Sequence, residues 1–335
     1  MRRLDPASES LLNMSLNKRK KSLVTGGSGY LGSHVCKLLK ENNWHVSIVD
    51  IKKPEHDYYD DFQQQDICDF ENLNHIFWKK NSFDVVFHFA GKIEVGESVE
   101  DPTKYYHTNV GGTCTLLRVM SLFKCKNIIY SSTAGLYRSS EIPLKETDEL
   151  NPSNNPYAGS KYVAEMSIKQ SKLNYVIFRY FNLAGADSSG KIGENHKPET
   201  HLIPKIIQNL NNVEIYGNDY NTPDGTCIRD YVHVSDVAEM HLKAAQHLME
   251  ENDSVILNLG TGEGYSVKQI VDVVQKVIKQ KIKINYLPRR DGDPTKLVSD
   301  ISQVKKLFNY TNKHTIESIV ESAYEWEKNR RPKTI

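Results

Sequence analysis

The sequence predicts an α/β fold in which a parallel sheet is covered by helices on both faces. Short apolar runs of strand length alternate with helical segments, a glycine-rich turn follows the first run, and an acidic residue ends the second. Regular alternation of strand and helix is typical of βαβ units and therefore of parallel sheets. The chain has 335 residues, enough for one large domain or two closely joined ones.

Five short apolar runs are the predicted strands of this sheet. In chain order they cover residues 22–25, 45–50, 85–89, 127–131 and 175–179. The segments between them have helical character, and they lie around residues 31–39, 72–80, 103–123 and 157–171. Because parallel strands need crossover helices, this order predicts a doubly wound sheet.

The composition changes after residue 182. Glycine, asparagine, proline and histidine become frequent over residues 185–204 and 216–226, and helical segments at 202–210 and 267–279 follow these loops. Such loops indicate a region that covers a ligand rather than a linker. We therefore expect three parts, the last of them a smaller α/β substrate-binding domain interleaved with a dinucleotide-binding domain. They are a flexible leader over 1–21, the dinucleotide-binding domain over 22–185 and the substrate-binding domain over 186–335.

Charge and hydropathy exclude several classes of protein. The net charge is +1, which argues against a nucleic-acid partner, and no apolar run approaches the ~18 residues of a membrane span. The leader lacks the apolar region of a signal peptide and carries Asp5 and Glu9. Five cysteines without a CxxC pattern and twelve histidines without HExxH predict reduced thiols and no metal site. These features favour a cytoplasmic enzyme.

The first turn is a candidate dinucleotide site. It reads Thr25-Gly26-Gly27-Ser28-Gly29-Tyr30-Leu31-Gly32 and satisfies GxxGxxG through its first, third and last glycines. Glycines permit a tight turn, let the backbone approach a pyrophosphate and let the helix pack on the sheet. The pyrophosphate would meet the positive end of the following helix. Because the pattern lies between a strand and a helix, it predicts a Rossmann-type domain.

Asp50 ends the second strand, 24 residues after Gly26. A carboxylate at this place can accept hydrogen bonds from ribose hydroxyls and would repel the 2′-phosphate of NADP. Lys52 and Lys53 could instead accept a phosphate, and Asp50 could be a simple turn residue. The register of glycines, strand and acid favours NAD as the cofactor.

Tyr157 and Lys161 form a YxxxK pattern on a predicted helix. Residues four apart share a helix face, so the two side chains are neighbours. A tyrosine titrates near ~10, and lowering this to ~7 requires ~4 kcal/mol, which an adjacent ammonium and a positive nicotinamide ring can supply. The pair predicts a general base, although a surface Tyr–Lys pair would give the same pattern.

A hydroxyl cluster, Ser131-Ser132-Thr133, follows the fourth predicted strand. Ligands of open α/β sheets bind at the carboxyl ends of strands, so a hydroxyl there can contact both substrate and tyrosine. A helix cap or turn is the alternative interpretation.

Together these features resemble the extended short-chain dehydrogenase/reductase family, and within it the epimerases of UDP-sugars. Further matching segments extend the resemblance over residues 22–310. They are Phe89-Ala90-Gly91, Val95-Gly96-Glu97-Ser98, Arg179-Tyr180-Phe181-Asn182, Tyr216-Gly217-Asn218-Asp219-Tyr220, Asp224-Gly225-Thr226, Arg229-Asp230-Tyr231-Val232-His233-Val234 and Pro288-Arg289-Arg290-Asp291-Gly292-Asp293. Related dehydratases and decarboxylases carry an acid just after the Ser/Thr position, where this chain has Ala134, so the resemblance favours epimerisation.

The resemblance implies a role for each candidate residue. Tyr157 would exchange a proton with the sugar 4-hydroxyl, Thr133 would bond to the same oxygen, and Lys161 would hold the nicotinamide ribose. The implied NAD contacts are Gly26, Gly29, Tyr30, Leu31, Gly32, Asp50, Asp66, Ile67, Phe89, Ala90, Gly91, Asn109, Lys161 and Phe181. The implied contacts of the UDP-hexose substrate are Thr133, Asn182, His201, Leu202, Tyr216, Arg229, Arg290, Asp293 and Leu297. Leu297 would lie beside the C2 substituent of the sugar, unless it simply packs against the preceding loop.

By resemblance, we expect NAD-dependent interconversion of UDP-glucose and UDP-galactose, as in galactose metabolism. Two alternatives remain: a 4-epimerase of another UDP-sugar, such as an N-acetylhexosamine or a pentose, and a silent NAD-binding sensor or scaffold. Silent members would be expected to lose Tyr157 or Lys161, and this chain keeps both. The family also implies a homodimer that pairs through the helices near 103–123 and 157–171.

Overall fold

A computed structural model describes residues 19–290 and 292–330 of the chain. It contains fourteen strands and eleven α-helices within these ranges. The strands are β1 (Lys21–Thr25), β2 (His45–Asp50), β3 (Asp61–Gln64), β4 (Val85–His88), β5 (Asn127–Thr133), β6 (Asn174–Tyr180), β7 (Asn182–Ala184), β8 (Val213–Tyr216), β9 (Ile228–Arg229), β10 (Tyr231–His233), β11 (Val255–Leu259), β12 (Tyr265–Ser266), β13 (Ile284–Leu287) and β14 (Lys296–Leu297). The helices are α1 (Tyr30–Glu41), α2 (Phe70–Lys80), α3 (Val95–Glu100), α4 (Pro102–Tyr105), α5 (Thr113–Leu122), α6 (Pro156–Gln170), α7 (Leu202–Gln208), α8 (Val234–Glu250), α9 (Val267–Ile278), α10 (Ser302–Phe308) and α11 (Ile316–Arg330).

Seven parallel strands form the central sheet, in the order β11-β6-β5-β4-β1-β2-β3. The order reverses between β1 and β4, so the loops after these two strands diverge and leave a crevice at the carboxyl edge. This is the place where open α/β sheets bind ligands. The predicted doubly wound parallel sheet is confirmed.

Alternate side chains of the strands pack on the two faces of the sheet. In β1, Val24 belongs to the apolar core under α1 and α8, whereas Leu23 belongs to the core under α2, α5 and α6. In β5, Ile129 belongs to the first of these cores and Ile128 to the second. Because both faces are buried, the strands are nearly continuous apolar runs, which made them recognisable in the sequence.

The region after residue 185 is built around a separate core. Helices α7, α9 and α11 pack together with β8, and their apolar faces include Ile206, Val274 and Val320. Three small sheets, β10–β7, β12–β9–β14 and β13–β8, surround this core. The same region also contributes β11 to the central sheet and α8 to the helices that pack on it.

The five predicted strands and the helical segments between them are present, with ends that shift by a few residues. Several elements were not predicted. They include the sheet strands β3 and β11, the helices α8 and α11, and the short strands after residue 181. A π-helical turn, Tyr106–Gly112, divides the predicted helix at 103–123 and was not predicted either. Residues 1–18 of the predicted leader lie outside the described residues, and Lys21 already belongs to β1.

No helix in the described ranges is long and apolar enough to cross a membrane.

A buried ion pair connects α6 to the sheet. Arg179 of β6 donates through Nε and Nη2 to the two carboxylate oxygens of Glu165 on α6, at 3.1 and 2.8 Å. The two residues are 3% and 1% exposed. The hydroxyl of Ser132 donates to the same carboxylate, and Arg179 Nη1 donates to the Tyr137 hydroxyl at 2.9 Å. This network fixes the helix, two central strands and the segment after β5 to one another.

Replacing Glu165 with glutamine should destabilise the protein, since it leaves the Arg179 charge buried and unpaired. We expect a loss of ~3–5 kcal/mol in the free energy of unfolding, measured by equilibrium denaturation. The control is Glu149→Gln, whose ion pair with Arg138 at 3.5 Å is 78% and 61% exposed. That change should cost no more than ~1 kcal/mol. Equal losses in the two variants would contradict the structural role of the buried pair.

Candidate active site

The glycine turn leaves no space for side chains at its first and last glycines. Gly26 has φ +75°, and a Cβ there would lie 2.6 Å from the backbone nitrogen of Ala90. A Cβ at Gly32 would lie 2.1 Å from the carbonyl oxygen of Gly26. The turn thus needs glycine at both ends, and it brings the backbone to the amino terminus of α1, where Tyr30 and Leu31 begin the helix. Such a turn is suited to a dinucleotide pyrophosphate.

The segment after β4 forms the other wall of the crevice. The amides of Phe89 and Ala90 donate to the carbonyl of Thr25 at 3.0 and 3.1 Å, so this segment lies against the glycine turn. Next along the chain, a Cβ at Gly91 would lie 2.9 Å from Asn109 Oδ1 and 3.7 Å from Lys161 Nζ. Gly91 therefore connects the crevice to the helix that carries the YxxxK pair. Together with the glycine turn, this shape fits an extended dinucleotide such as NAD.

Asp50, the last residue of β2, is hydrogen-bonded to the glycine turn. Its carboxylate accepts the amide of Ser28 at 3.0 Å and that of Lys52 at 2.9 Å. Both lysines that could have received a phosphate, Lys52 and Lys53, are exposed side chains. The acidic group thus lies at the turn itself, in the position expected of a residue that selects against NADP.

Asp66 and Ile67 follow β3 at the same edge of the sheet. The exposed Asp66 carboxylate accepts the amide of Cys68 at 2.9 Å. Ile67 is buried against the π-helical turn, where a Cβ at Gly112 would lie 2.5 Å from its Cδ1. Both residues therefore lie at the carboxyl edge of the sheet, next to the π-helical turn.

Asn109, in the π-helical turn, holds the crevice wall to α6. Its Oδ1 accepts the amide of Lys92 at 2.7 Å, and its Nδ2 donates to the Lys92 carbonyl and to Ser160 Oγ at 3.1 and 2.9 Å. The side chain is 2% exposed. Its contacts position the segment after β4 and thereby the shape of the proposed cofactor site.

Tyr157, Lys161 and Thr133 meet at the inner end of the crevice. The hydroxyl of Thr133 accepts the amide of Gly135 at 3.0 Å and lies close enough to Tyr157 to lower the pKa of its phenol. One turn further along α6, Lys161 Nζ donates to the carbonyl of Ser131 at 2.7 Å and lies 5.0 Å from the centre of the Tyr130 ring. The predicted hydroxyl, phenol and ammonium groups therefore lie together.

Burial acts in opposite directions on the two titratable groups of this site. It lowers the pKa of Lys161 to about 8, against the raising effect of the Glu165 charge, so the side chain stays mainly protonated at neutral pH. It raises the pKa of Tyr157, and the nearby hydroxyl of Thr133 opposes this. The lowered phenol pKa that the sequence led us to expect is therefore not found in the protein alone. A positive charge on a bound nicotinamide would favour the phenolate.

Two arginines lie together on the substrate side. Arg229 forms an ion pair with Asp293 at 3.5 Å, and its side chain is only 12% exposed, unlike that of a surface pair. Arg290 lies over the ring of Tyr216 at 3.9 Å, and its carbonyl accepts the amide of Asp293 at 3.3 Å. Leu297 of β14 is opposite Arg229 in the adjoining strand. These residues form one group with two guanidinium side chains, which can bind a diphosphate bidentately.

Leu297 links this group to the YxxxK site. It is 8% exposed and packs in an apolar cluster with Ala134, Tyr137 and Phe181. Phe181 is stacked on Tyr137, and the next residue, Asn182, is exposed on β7. The cluster adjoins Thr133, so the arginine group and the Tyr–Lys pair belong to one site.

His201 and Leu202 lie at the start of α7. The imidazole of His201 is bonded to Glu194 and belongs to a group of four histidine and glutamate side chains. Burial lowers the pKa of His201, but the Glu194 charge has the larger opposite effect. The net result is a pKa raised to about 9. Glu94 raises the pKa of both His201 and Tyr157, so the start of α7 is within electrostatic range of the catalytic side of the crevice.

Sequence reasoning missed the network beneath the Tyr–Lys pair. Glu165 is four residues after Lys161 and on the same helix face, which is a signal that the spacing rule could have detected. Arg179 is a charge in an otherwise apolar strand, and such a residue must be paired when the strand is buried. Ser132 gave no separate signal within the hydroxyl cluster.

Comparisons with known proteins agree with this geometry. The family model of the NAD dependent epimerase/dehydratase family matches residues 22–260. The chain is 41% identical to the UDP-glucose 4-epimerase of Halalkalibacterium halodurans, over 91% of this chain and 95% of that protein. Among solved structures, the UDP-glucose 4-epimerase from Brucella ovis in complex with NAD has a TM-score of 0.86 and 38% identity, covering 91% of this chain and 97% of the other. The enzyme from Bifidobacterium longum in complex with NAD+ and UDP has a TM-score of 0.84 and 32% identity, covering 93% and 99%.

The position of Asp50 leads to a test of cofactor choice. Nucleotide-free protein should bind NADP at least about tenfold more weakly than NAD, since the 2′-phosphate would meet the Asp50 carboxylate. Asp50→Asn keeps an acceptor for the Ser28 amide but removes the charge, and it should narrow this difference. Asp57→Asn, an exposed acid in the loop after β2, is the control and should leave the ratio unchanged. Equal affinity of the wild type for both dinucleotides would rule out the assigned role.

Proposed function

The chain belongs to the NAD dependent epimerase/dehydratase family, and we propose that it interconverts UDP-glucose and UDP-galactose by transient oxidation at C4. The observation that carries the proposal is the meeting of Tyr157, Thr133 and Lys161 at the inner end of the crevice, with apolar Ala134 in place of an acid. The similarity to UDP-glucose 4-epimerases favours this substrate over the other UDP-sugars. Retention of the complete Tyr–Lys pair favours an enzyme over a silent scaffold.

Bound NAD would supply the acceptor and donor of a hydride. Tyr157 would accept the proton of the 4-hydroxyl when C4 is oxidised and return it when C4 is reduced. Thr133 would hydrogen-bond to the same oxygen. Lys161 stays positive at neutral pH and stabilises the phenolate.

The substrate must be held by its UDP part while the sugar turns. Arg229 and Arg290 are suited to the diphosphate because a guanidinium group can donate two parallel hydrogen bonds. The other proposed contacts of the UDP-hexose are Asn182, His201, Leu202, Tyr216, Asp293 and Leu297. Anchoring the diphosphate but not the sugar explains how both faces of C4 can be presented to one hydride site.

We also infer that the enzyme is a cytoplasmic homodimer. All five cysteines are free, and three of them are buried, as expected of a protein from a reducing compartment. Large apolar side chains are exposed on neighbouring segments: Val99 of α3 (63%), Tyr106 of the π-helical turn (42%) and Val163 of α6 (38%). A second copy that packs on these helices would bury them.

Replacing Tyr157 with phenylalanine tests the proposed general base. The change removes one hydroxyl and keeps the ring, so folding and NAD binding should persist while turnover falls ~10²–10⁴-fold. Turnover is measured by separation of UDP-glucose formed from UDP-galactose, and NAD binding by titration. Tyr162→Phe, on the same helix, is the matched control and should keep its activity. A Tyr157→Phe enzyme that keeps most of its turnover would contradict the proposed mechanism.

A further inference from the structure

Four side chains of the loop between β7 and α7 converge on one point. We call Glu194, His196, Glu199 and His201 the His/Glu cluster. Each offers one nitrogen or oxygen atom, and these four atoms all lie within 4.8 Å of one another. Their spacing, ExHxxExH in an irregular loop, is unlike the helical HExxH pattern sought in the sequence. Convergence at this point therefore depends on the folded loop.

The carboxylate of Glu194 is the centre of the His/Glu cluster. Its Oε1 is bonded to Nδ1 of His201 and lies 3.1 Å from Nδ1 of His196. Glu199 Oε1 lies 4.0 Å from the same His196 nitrogen and accepts the backbone amide of His201 at 2.9 Å. Two imidazole nitrogens and two carboxylates thus face a common volume.

Two buried atoms of the His/Glu cluster have no hydrogen bond to any described residue. They are Oε2 of Glu199, whose side chain is only 7% exposed, and Nδ1 of His196, which lies near Glu194 without hydrogen-bond geometry. A buried polar atom that lacks a partner is costly to the fold.

A divalent cation satisfies these atoms. Imidazole nitrogen and carboxylate oxygen are both ligands of Zn²⁺, at ~2.0–2.2 Å, which places tetrahedral ligands about 3.4 Å apart. Small side-chain movements would bring the four atoms to these separations. Binding would displace the proton of the His201 imidazole, and the two carboxylates would then balance the charge of +2.

We propose that the His/Glu cluster is a binding site for a divalent transition-metal cation, with Zn²⁺ as the best-matched ion. This differs from the expectation of no metal site, which considered helical and CxxC spacings only. The proposal concerns these four residues alone and does not depend on the proposed epimerase activity.

The site would join three parts of the fold. The His196 ring lies 6.4 Å from that of Tyr30 on α1, and Trp326 of α11 donates to the Glu194 carbonyl at 2.7 Å. His201 is the residue before α7, and Leu202 begins that helix. A cation bound here would fix the loop between α1 and α11 and set the start of α7, where the proposed substrate contacts lie.

Isothermal titration of the full-length, chelator-treated chain with Zn²⁺ tests the proposal. We expect saturable binding of one ion per chain. His196→Ala and Glu199→Gln should each weaken this binding by about tenfold or more, since each removes one ligand. His75→Ala, an exposed histidine of α2, is the control and should bind as the wild type does.

Two variants and an unfolding measurement separate ligand loss from misfolding. Both variants should retain the circular-dichroism spectrum and a cooperative unfolding transition. At one Zn²⁺ concentration, the unfolding midpoint should rise more for the wild type and His75→Ala than for the two variants. The proposal is overturned if the wild type shows no saturable binding, or if folded His196→Ala and Glu199→Gln proteins bind Zn²⁺ as tightly as the wild type does.

Discussion

The buried ion pair between Glu165 and Arg179 is the constraint on which the candidate site depends. It fixes α6 to β6, and through Ser132 it fixes the same helix to the end of β5. Lys161 and Tyr157 lie about one and two turns before Glu165 on α6, so the register of this helix sets their positions relative to Thr133. A charge pair that is 1–3% exposed is costly to bury. Once it has formed, a shift or rotation of α6 would separate the two buried charges and is therefore strongly disfavoured.

The same burial that orders the site also sets its chemistry. Lys161 keeps its positive charge near neutral pH, with a pKa of about 8, while the pKa of Tyr157 is raised. Lys161 thus brings one positive charge to this side of the crevice, and an oxidised nicotinamide would bring another. Both charges would favour the phenolate form of Tyr157.

The sequence was informative where the chemistry is local. The glycine turn, Asp50 and the Tyr157–Lys161 spacing are each defined within a few residues, and the apolar strands are continuous because both sheet faces are covered. Features that depend on distant partners were not predicted. The π-helical turn is a backbone irregularity that periodicity does not encode, β11 is recognised only by its pairing with β6, and the His/Glu cluster forms only in the folded loop.

The fate of the hydrogen on C4 is the most direct test of this mechanism. Purified protein with bound NAD is incubated with UDP-galactose that carries deuterium at C4, and the product is isolated and analysed by mass spectrometry and NMR. We expect UDP-glucose that retains deuterium at C4, with no lasting formation of NADH, since the same hydride leaves and returns. Exchange of this deuterium with solvent, or stoichiometric NADH together with an oxidised sugar, would contradict epimerisation by transient oxidation at C4.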